Sequence, residues 1–262
     1  MKVIRPEDTD ALLLKALLYG PPGSTKTRTS ATAAADKRTS PVLHIDMGGN
    51  PLSIRTYRER PDVISAETFV DLNNAHRWLA AGQPQRGQLY EMLGSPKEPY
   101  KTVTFDGITT LQRRVMSRAT GNDAKDPADV LTAAEYKHHG TVLMQMIKFA
   151  EAFFILPMHV IITALEYEQQ DSGGAIYYRP QLTGQAASEV PAYAYLVGRM
   201  MHVNRVAGAL RQAMSDEITG DTVSVMLLQP SSRWYAKNQY CAGEPYIVDP
   251  TVTKIMDLIA GD

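Results

Sequence analysis

The chain has 262 residues, of which 44% are hydrophobic and 21% are charged, so it can bury a core and is not globally disordered. Its 27 Lys and Arg against 28 Asp and Glu give a formal charge of −1, which excludes a uniformly basic nucleic-acid binder but not a local basic patch. The single cysteine, the absence of any ~18-residue apolar run and the lack of a signal-peptide core lead us to expect a cytoplasmic protein without disulfides.

Short apolar runs alternate with helical stretches, which predicts an α/β fold: a mainly parallel central sheet flanked by helices, with late antiparallel strands, in a single domain over residues 1–262. Strands are predicted, in chain order, at residues 11–19, 42–46, 102–106, 159–164, 223–228 and 233–236. Helices are predicted at residues 27–37, 71–81, after the third strand to about residue 118, at 133–154 and at 251–260. A turn at residues 169–175 predicts a hairpin arm.

A phosphate-binding loop is predicted where the first strand runs into the first helix. Its residues are Gly20, Pro21, Pro22, Gly23, Ser24, Thr25, Lys26 and Thr27, and Arg28 completes the predicted nucleotide-binding set. In such a loop, backbone N–H groups at the start of a helix face the phosphates. We expect Lys26 to reach the β- and γ-phosphates of ATP and the hydroxyl of Thr27 to bind Mg²⁺. Thr25 stands where the consensus has glycine, and its β-branched side chain restricts the backbone there.

The strand at residues 102–106 ends in an acid, Asp106, 80 residues after Lys26. A carboxylate at the end of a buried strand is expected to hold the Mg²⁺ through water, as in a Walker B motif. The two motifs in this order predict a nucleotide-binding protein.

The segments at residues 17–27, 42–46 and 100–111 together resemble phage-encoded RecA-like P-loop ATPases of the compact single-strand annealing type. Residues 159–163, 179–191 and 236–238 are similar to later segments of that group. The resemblance covers about residues 10–250. It implies an ATP-binding protein that binds single-stranded DNA, promotes annealing during recombination, assembles into a ring or filament and works beside a single-stranded DNA-binding protein.

The resemblance also implies roles for individual residues. Lys26, Asp106, Thr163 and Lys237 form the implied catalytic set. Thr163 is expected to sense the γ-phosphate, and Lys237 is expected to act across a subunit interface much as an arginine finger does. RecA has a second lysine at the position of Gln239, so this chain keeps only one lysine of that pair.

The carboxylate that orients the attacking water is missing from both expected positions. RecA-like enzymes place a glutamate at the position of Gly48, and AAA+ enzymes place one at the position of Gly107. Losing such a base typically costs about 10²- to 10⁴-fold in rate. Asp46 and Glu166 are the candidate substitutes, and the sequence favours neither.

Candidate DNA contacts are the basic residues that follow the Asp106 strand or begin the long helix: Arg113, Arg114, Arg118 and Lys137. Such clusters neutralise phosphates without reading sequence, although any one of them is more typical of a solvated helix face. Two other functions remain open. An AAA+ helicase loader would carry a helical lid after the core, and a non-hydrolysing nucleotide-binding scaffold would explain the missing carboxylates.

Overall fold

A computed structural model of the chain describes residues 13–47, 51–55, 57–123, 126, 129–170, 172–206, 209–212, 222–240 and 243–261. The strands are β1 Lys15–Gly20, β2 Val42–Asp46, β3 Asp62–Ser65, β4 Thr102–Asp106, β5 His159–Gln170, β6 Ile176–Pro180, β7 Leu196–Val206, β8 Ala209–Gln212, β9 Thr222–Leu227, β10 Lys237–Asn238 and β11 Tyr246–Val248. The α-helices are α1 Lys26–Ala31, α2 Phe69–Ala80, α3 Gln88–Met92, α4 Ile108–Ala119, α5 Tyr136–Phe154, α6 Ala186–Ala192 and α7 Val252–Ala260. Among these helices none combines the length and apolar character needed to cross a bilayer.

The central sheet has the strand order β11-β9-β7-β1-β5-β4-β2-β3. From β7 to β3 every neighbouring pair is parallel, whereas β7, β9 and β11 pair antiparallel. Strands β8 and β10 also pair antiparallel with β7, and β6 forms a hairpin with β5. This mainly parallel sheet with late antiparallel strands confirms the expected fold class.

Strand β1 lies inside the sheet and is buried along its whole length. Its side chains alternate between two cores, as the period of a strand requires. Leu17 and Tyr19 pack in the core covered by α2, α4, α5 and α6. Ala16 and Leu18 pack in the core covered by α7. Because helices cover both faces, strands β1, β2 and β4 are buried almost throughout. The loop after β1 emerges between the two neighbours of that strand at the carboxyl edge of the sheet.

Four sequence-based expectations differ from the structure. The predicted first helix continues past α1 only as a short 3₁₀ helix, Thr32–Ala35. The predicted strand at residues 233–236 is wrong, because Trp234 forms isolated bridges and the ladder is made by β10 instead. Strand β3 was not predicted because it is a mostly exposed edge strand without an apolar run. Strand β7 was not predicted either, although it lies directly beside β1.

His159, at the start of β5, gives a pH dependence to folding. Its Nδ1 accepts a hydrogen bond from the backbone N–H of Leu14 at 2.9 Å, so the ring is neutral in the fold. The pKa of His159 is lowered from 6.5 to about 4, mainly by burial and to a lesser extent by the charge of nearby Lys15. The neutral form is therefore favoured in the folded state, and stability is lost as the pH falls from about 6.5 towards about 4.

We expect His159→Asn, which keeps an acceptor but cannot titrate, to reduce this acid destabilisation by about 1–3 kcal/mol at pH 4 to 5. Urea unfolding of both proteins at pH 7.5 and at pH 4.5 measures the difference. Equal losses of stability in the two proteins would show that His159 does not carry the effect.

Candidate nucleotide-binding site

The predicted phosphate loop leaves the carboxyl end of β1 and runs into α1. It begins in close contact with β7, since a Cβ atom on Gly20 would lie only 2.2 Å from the carbonyl oxygen of Met200. A side chain at position 20 would therefore separate the loop from the sheet. Next to the loop is an open cleft of about 450 Å³, lined by residues 23–28 together with Ser53 and His202.

Lys26, the first residue of α1, is folded back over the loop. Its Nζ donates hydrogen bonds to the carbonyls of Gly20 and Pro21, at 2.9 and 2.8 Å, and to Ser24 Oγ at 3.2 Å. Burial lowers the pKa of Lys26 to about 8, while the carboxylate of Asp106 acts in the opposite direction. The ammonium is charged at neutral pH and surrounded by acceptors, which is what a phosphate-binding cation in a loop requires.

Asp106 joins three elements at the centre of the site. The hydroxyl of Thr27 donates to its Oδ2 at 2.6 Å, and the hydroxyl of Thr163 donates to its Oδ1. Thr163 in turn accepts a hydrogen bond from the backbone N–H of Gly107 at 3.1 Å. These hydrogen bonds join the start of α1, the end of β4 and the middle of β5. The side chains that make them are ones that the sequence analysis had assigned to a single site.

Thr25 adopts a left-handed backbone conformation, with φ 65° and ψ 13°. Glycine adopts this conformation freely, whereas in a β-branched residue it is a genuine outlier that costs about 1–2 kcal/mol. Its Oγ1 donates a hydrogen bond to Ser224 Oγ, on β9, at 3.1 Å. The loop therefore departs from the consensus in residue type, while its backbone keeps a conformation that glycine would supply.

The position after the Walker B acid cannot readily carry a carboxylate side chain. Gly107 has φ 103°, and a Cβ atom there would lie 3.3 Å from Thr110 Oγ1. Gly48, the other expected position, lies outside the described residues. Asp46 is buried at the end of β2 and is directly in register with Asp106 on β4. It is therefore the candidate substitute whose strand position pairs directly with that of the acid expected to hold Mg²⁺.

Glu166, the second candidate substitute, is held in a buried ion pair. Its Oε2 lies 2.6 Å from Nε of Arg199, and the two side chains are 9% and 4% exposed. The guanidinium of Arg199 also stacks on the ring of Tyr178, 3.9 Å from the centroid, and lies 5.8 Å from the ring of Trp234. A carboxylate neutralised in this way is a poor general base.

Two other residues of the predicted nucleotide site lie away from its centre. Arg28 is exposed at the rim, where its guanidinium lies 5.9 Å from the ring centroid of Tyr57. Lys237 lies towards the opposite end of the sheet, and its Nζ donates to the carbonyls of Ala192 and Ala194 at 2.9 and 2.7 Å. Burial lowers the pKa of Lys237. Cys241, close to it in sequence, lies outside the described residues.

The basic residues singled out as DNA contacts have different surroundings. Arg114 donates to three backbone carbonyls that come after β2 and β3, those of Met47, Ala66 and Glu67. Arg113 and Arg118 are exposed on α4. Lys137 is exposed on α5 and pairs with Glu135 at 2.8 Å. Arg114 therefore fixes loops near the site, whereas Arg113 and Arg118 present their charges to solvent.

A strand–loop–helix unit carries a lysine and a threonine, and a carboxylate ends the parallel strand two places along the sheet. Together they define a P-loop NTPase. A family model described as an AAA domain matches residues 13–240, and the chain belongs to this family. Its P-loop domains generally bind nucleotide with Mg²⁺, and the oxygen ligands that Thr27 and Asp106 provide suit that ion. A comparison with curated proteins finds no match.

Sequence reasoning missed several residues at the site, among them Ser53, which lines the cleft, and three residues of β7 and β9. Arg199 binds Glu166, His202 contacts the carbonyl of Gly23, and Ser224 bonds Thr25. No motif marks the residues of β7 and β9, because their partners lie in other elements and the sequence did not reveal how these strands pair.

The Arg199–Glu166 pair leads to a stability prediction. Removing one partner leaves a buried charge uncompensated, so Arg199→Met is expected to cost about 3–5 kcal/mol of unfolding free energy. The double variant Arg199→Met/Glu166→Leu is expected to recover most of that loss, since no unpaired charge remains. Urea unfolding of the single and double variants gives the coupling energy. Additive losses in the double variant would contradict this role of the pair.

Proposed function

We propose that this protein binds ATP together with Mg²⁺ at the phosphate loop and acts as a RecA-like ATPase on single-stranded DNA. The observation that carries the nucleotide part is the 2.6 Å contact between Thr27 and Asp106, directly beside the buried ammonium of Lys26. An amine, a hydroxyl and a carboxylate converge there at the carboxyl edge of a parallel sheet. Ligands of α/β proteins bind at that edge.

Each residue would then have a separate task. Lys26 would bind the β- and γ-phosphates, and Thr27 and Asp106 would supply the oxygen ligands that hold the Mg²⁺. Bound Mg²⁺ neutralises phosphate charge. Thr163, hydrogen-bonded to Asp106, keeps the carboxylate oriented and couples β5 to the site.

Hydrolysis requires a group that orients water, and two observations bear on which group could do this. Glu166 is neutralised by Arg199, and the backbone at Gly107 disfavours a carboxylate side chain. Asp46 is therefore our candidate for the water-orienting residue. The same two observations favour the second candidate function, a scaffold that binds ATP without turning it over.

We expect Lys26→Ala to weaken MgATP binding by at least about tenfold, because the substitution removes a charge-assisted contact worth about 1.5–3 kcal/mol. Asp46→Asn is expected to leave binding intact and to lower turnover by about 10²-fold or more. Calorimetric titration measures binding, and phosphate release with and without single-stranded DNA measures turnover.

The outcomes separate the candidates. Turnover that is lost in both variants supports the ATPase. MgATP binding without any turnover supports the scaffold. If the unaltered protein does not bind MgATP, the nucleotide site itself is wrongly assigned. Arg77→Ala, an exposed charge removed from α2, is the control for nonspecific loss.

The DNA part of the proposal rests on the resemblance to annealing-type RecA-like proteins. That resemblance also suggests a ring or filament of this chain, a single-stranded DNA-binding protein as partner, and a phage origin. In such an assembly Lys237 would have to break its hydrogen bonds to the carbonyls of Ala192 and Ala194 in order to reach the nucleotide of a neighbouring subunit.

The elements after β5 favour the same proposal over a helicase loader. In the described residues this part of the chain consists of strands β6 to β11 with helices α6 and α7, of seven and nine residues. A loader of the AAA+ class would carry a helical lid there. The described part instead completes the sheet on the far side of β1.

If α4 contacts single-stranded DNA, neutralising Arg113 and Arg118 together is expected to weaken binding and to reduce the slope of log K against log salt by about 1.4, at about 0.7 per phosphate contact. Fluorescence anisotropy with an oligothymidine at several salt concentrations measures the slope. The matched control is Arg77→Gln/Arg86→Gln, which removes two exposed arginines elsewhere. Equal slopes for the two double variants would exclude α4 as a DNA contact.

A further inference from the structure

We infer that β7 and β9 form a clamp, made by His202 and Ser224, that holds the phosphate loop in its binding conformation in place of the missing consensus glycine. This inference rests on the proposed nucleotide-binding function and assigns positioning residues to it. The clamp contacts the loop residues Gly23 and Thr25. It does so from the β7 side of β1, whereas β5 lies on the other side of that strand.

The need for a clamp arises at Thr25. Its positive φ is unfavourable for a β-branched residue, so the loop would relax away from this conformation if nothing held it. The conformation persists only where surrounding contacts over-determine it. The contact present is the hydrogen bond from Thr25 Oγ1 to Ser224 Oγ at 3.1 Å. A glycine could not make this bond, so the contact exists only because of the departure from consensus.

His202 provides the second half of the clamp. Its Nε2 lies 3.0 Å from the carbonyl oxygen of Gly23, and because a carbonyl only accepts, Nε2 must carry the proton. Its Nδ1 lies 3.4 Å from Ser224 Oγ, which is the weaker contact of the set. Hydrogen bonds can therefore run from Thr25 to Ser224 to His202 and back to the loop at Gly23.

Neighbouring strands place these groups. His202 on β7 and Ser224 on β9 are directly paired in the antiparallel ladder. Upstream on β7, the carbonyl oxygen of Met200 lies against Gly20 at the start of the loop. The clamp thus extends a close contact between the loop and β7, and His202 lies at the wall of the cleft beside residues 23–28.

The test is a double-mutant cycle between Ser224→Ala and Thr25→Gly, read out as MgATP affinity by calorimetric titration. In the protein that retains Thr25, Ser224→Ala is expected to weaken MgATP binding by about fivefold, which corresponds to the net contribution of one hydrogen bond. In the Thr25→Gly background it is expected to have no effect, because glycine adopts the conformation unaided. Rescue of this kind would not result from a general loss of stability.

Thr222→Ala is the matched control. Thr222 lies two residues before Ser224 on β9, and its hydroxyl donates a hydrogen bond to Asn204 on β7 rather than to the loop. This substitution is expected to leave MgATP affinity unchanged. His202→Phe is expected to weaken binding, and His202→Gln, which retains an N–H donor, to restore part of it.

Equal weakening by Ser224→Ala in both backgrounds, or no weakening in either, would overturn the clamp. Failure of the unaltered protein to bind MgATP would overturn the proposed function, and with it the positioning role. The same cycle measured by urea unfolding distinguishes these results, because coupling between Thr25 and Ser224 in unfolding free energy does not require nucleotide.

Discussion

The carboxylate of Asp106 is the constraint on which the site depends. It lies at the end of a buried strand, where a charged group without partners would be costly. Hydroxyls from Thr27 and Thr163 satisfy it, and each comes from a different element. Since β5 lies between β1 and β4, Thr163 reaches the carboxylate from the strand beside the phosphate loop. The position of Asp106 thereby fixes the first turn of α1 and the middle of β5 relative to the sheet.

On its other side, the loop is supported by β7. Three features of that strand face the site: Arg199 binds Glu166, the carbonyl of Met200 lies against Gly20, and His202 reaches Gly23. The phosphate loop is therefore held between two strands with different chemistry. Hydroxyls and a carboxylate act on the β5 side, whereas an ion pair, a backbone contact and an imidazole act on the β7 side.

Sequence reasoning predicted the parts of this site whose residues carry a local signature. The strands ending at Asp46 and Asp106 are short buried runs rich in strand-forming residues that end in acids, and the structure has them with the same limits. Strand β7 was not predicted because Arg199 and His202 interrupt its apolar pattern. The partners of these two side chains lie in other elements, namely Glu166 on β5 and Gly23 in the phosphate loop. Thr25 illustrates the same limit. Its residue type marks a departure from the consensus, but the side chain that Thr25 contacts lies 199 residues away and could not be identified from the loop sequence.

Strand β5 also links the candidate nucleotide site to the surface of the molecule. Its first half is buried beside β1, and its last residues are exposed and paired with β6 as a projecting hairpin. At about 3.3 Å per residue, the tip of the strand at Gln170 lies roughly 23 Å from Thr163. The arm and the nucleotide site are one continuous piece of extended chain. The exposed tip and the hydroxyl that contacts Asp106 are therefore separated by the length of a single strand and by no turn or loop.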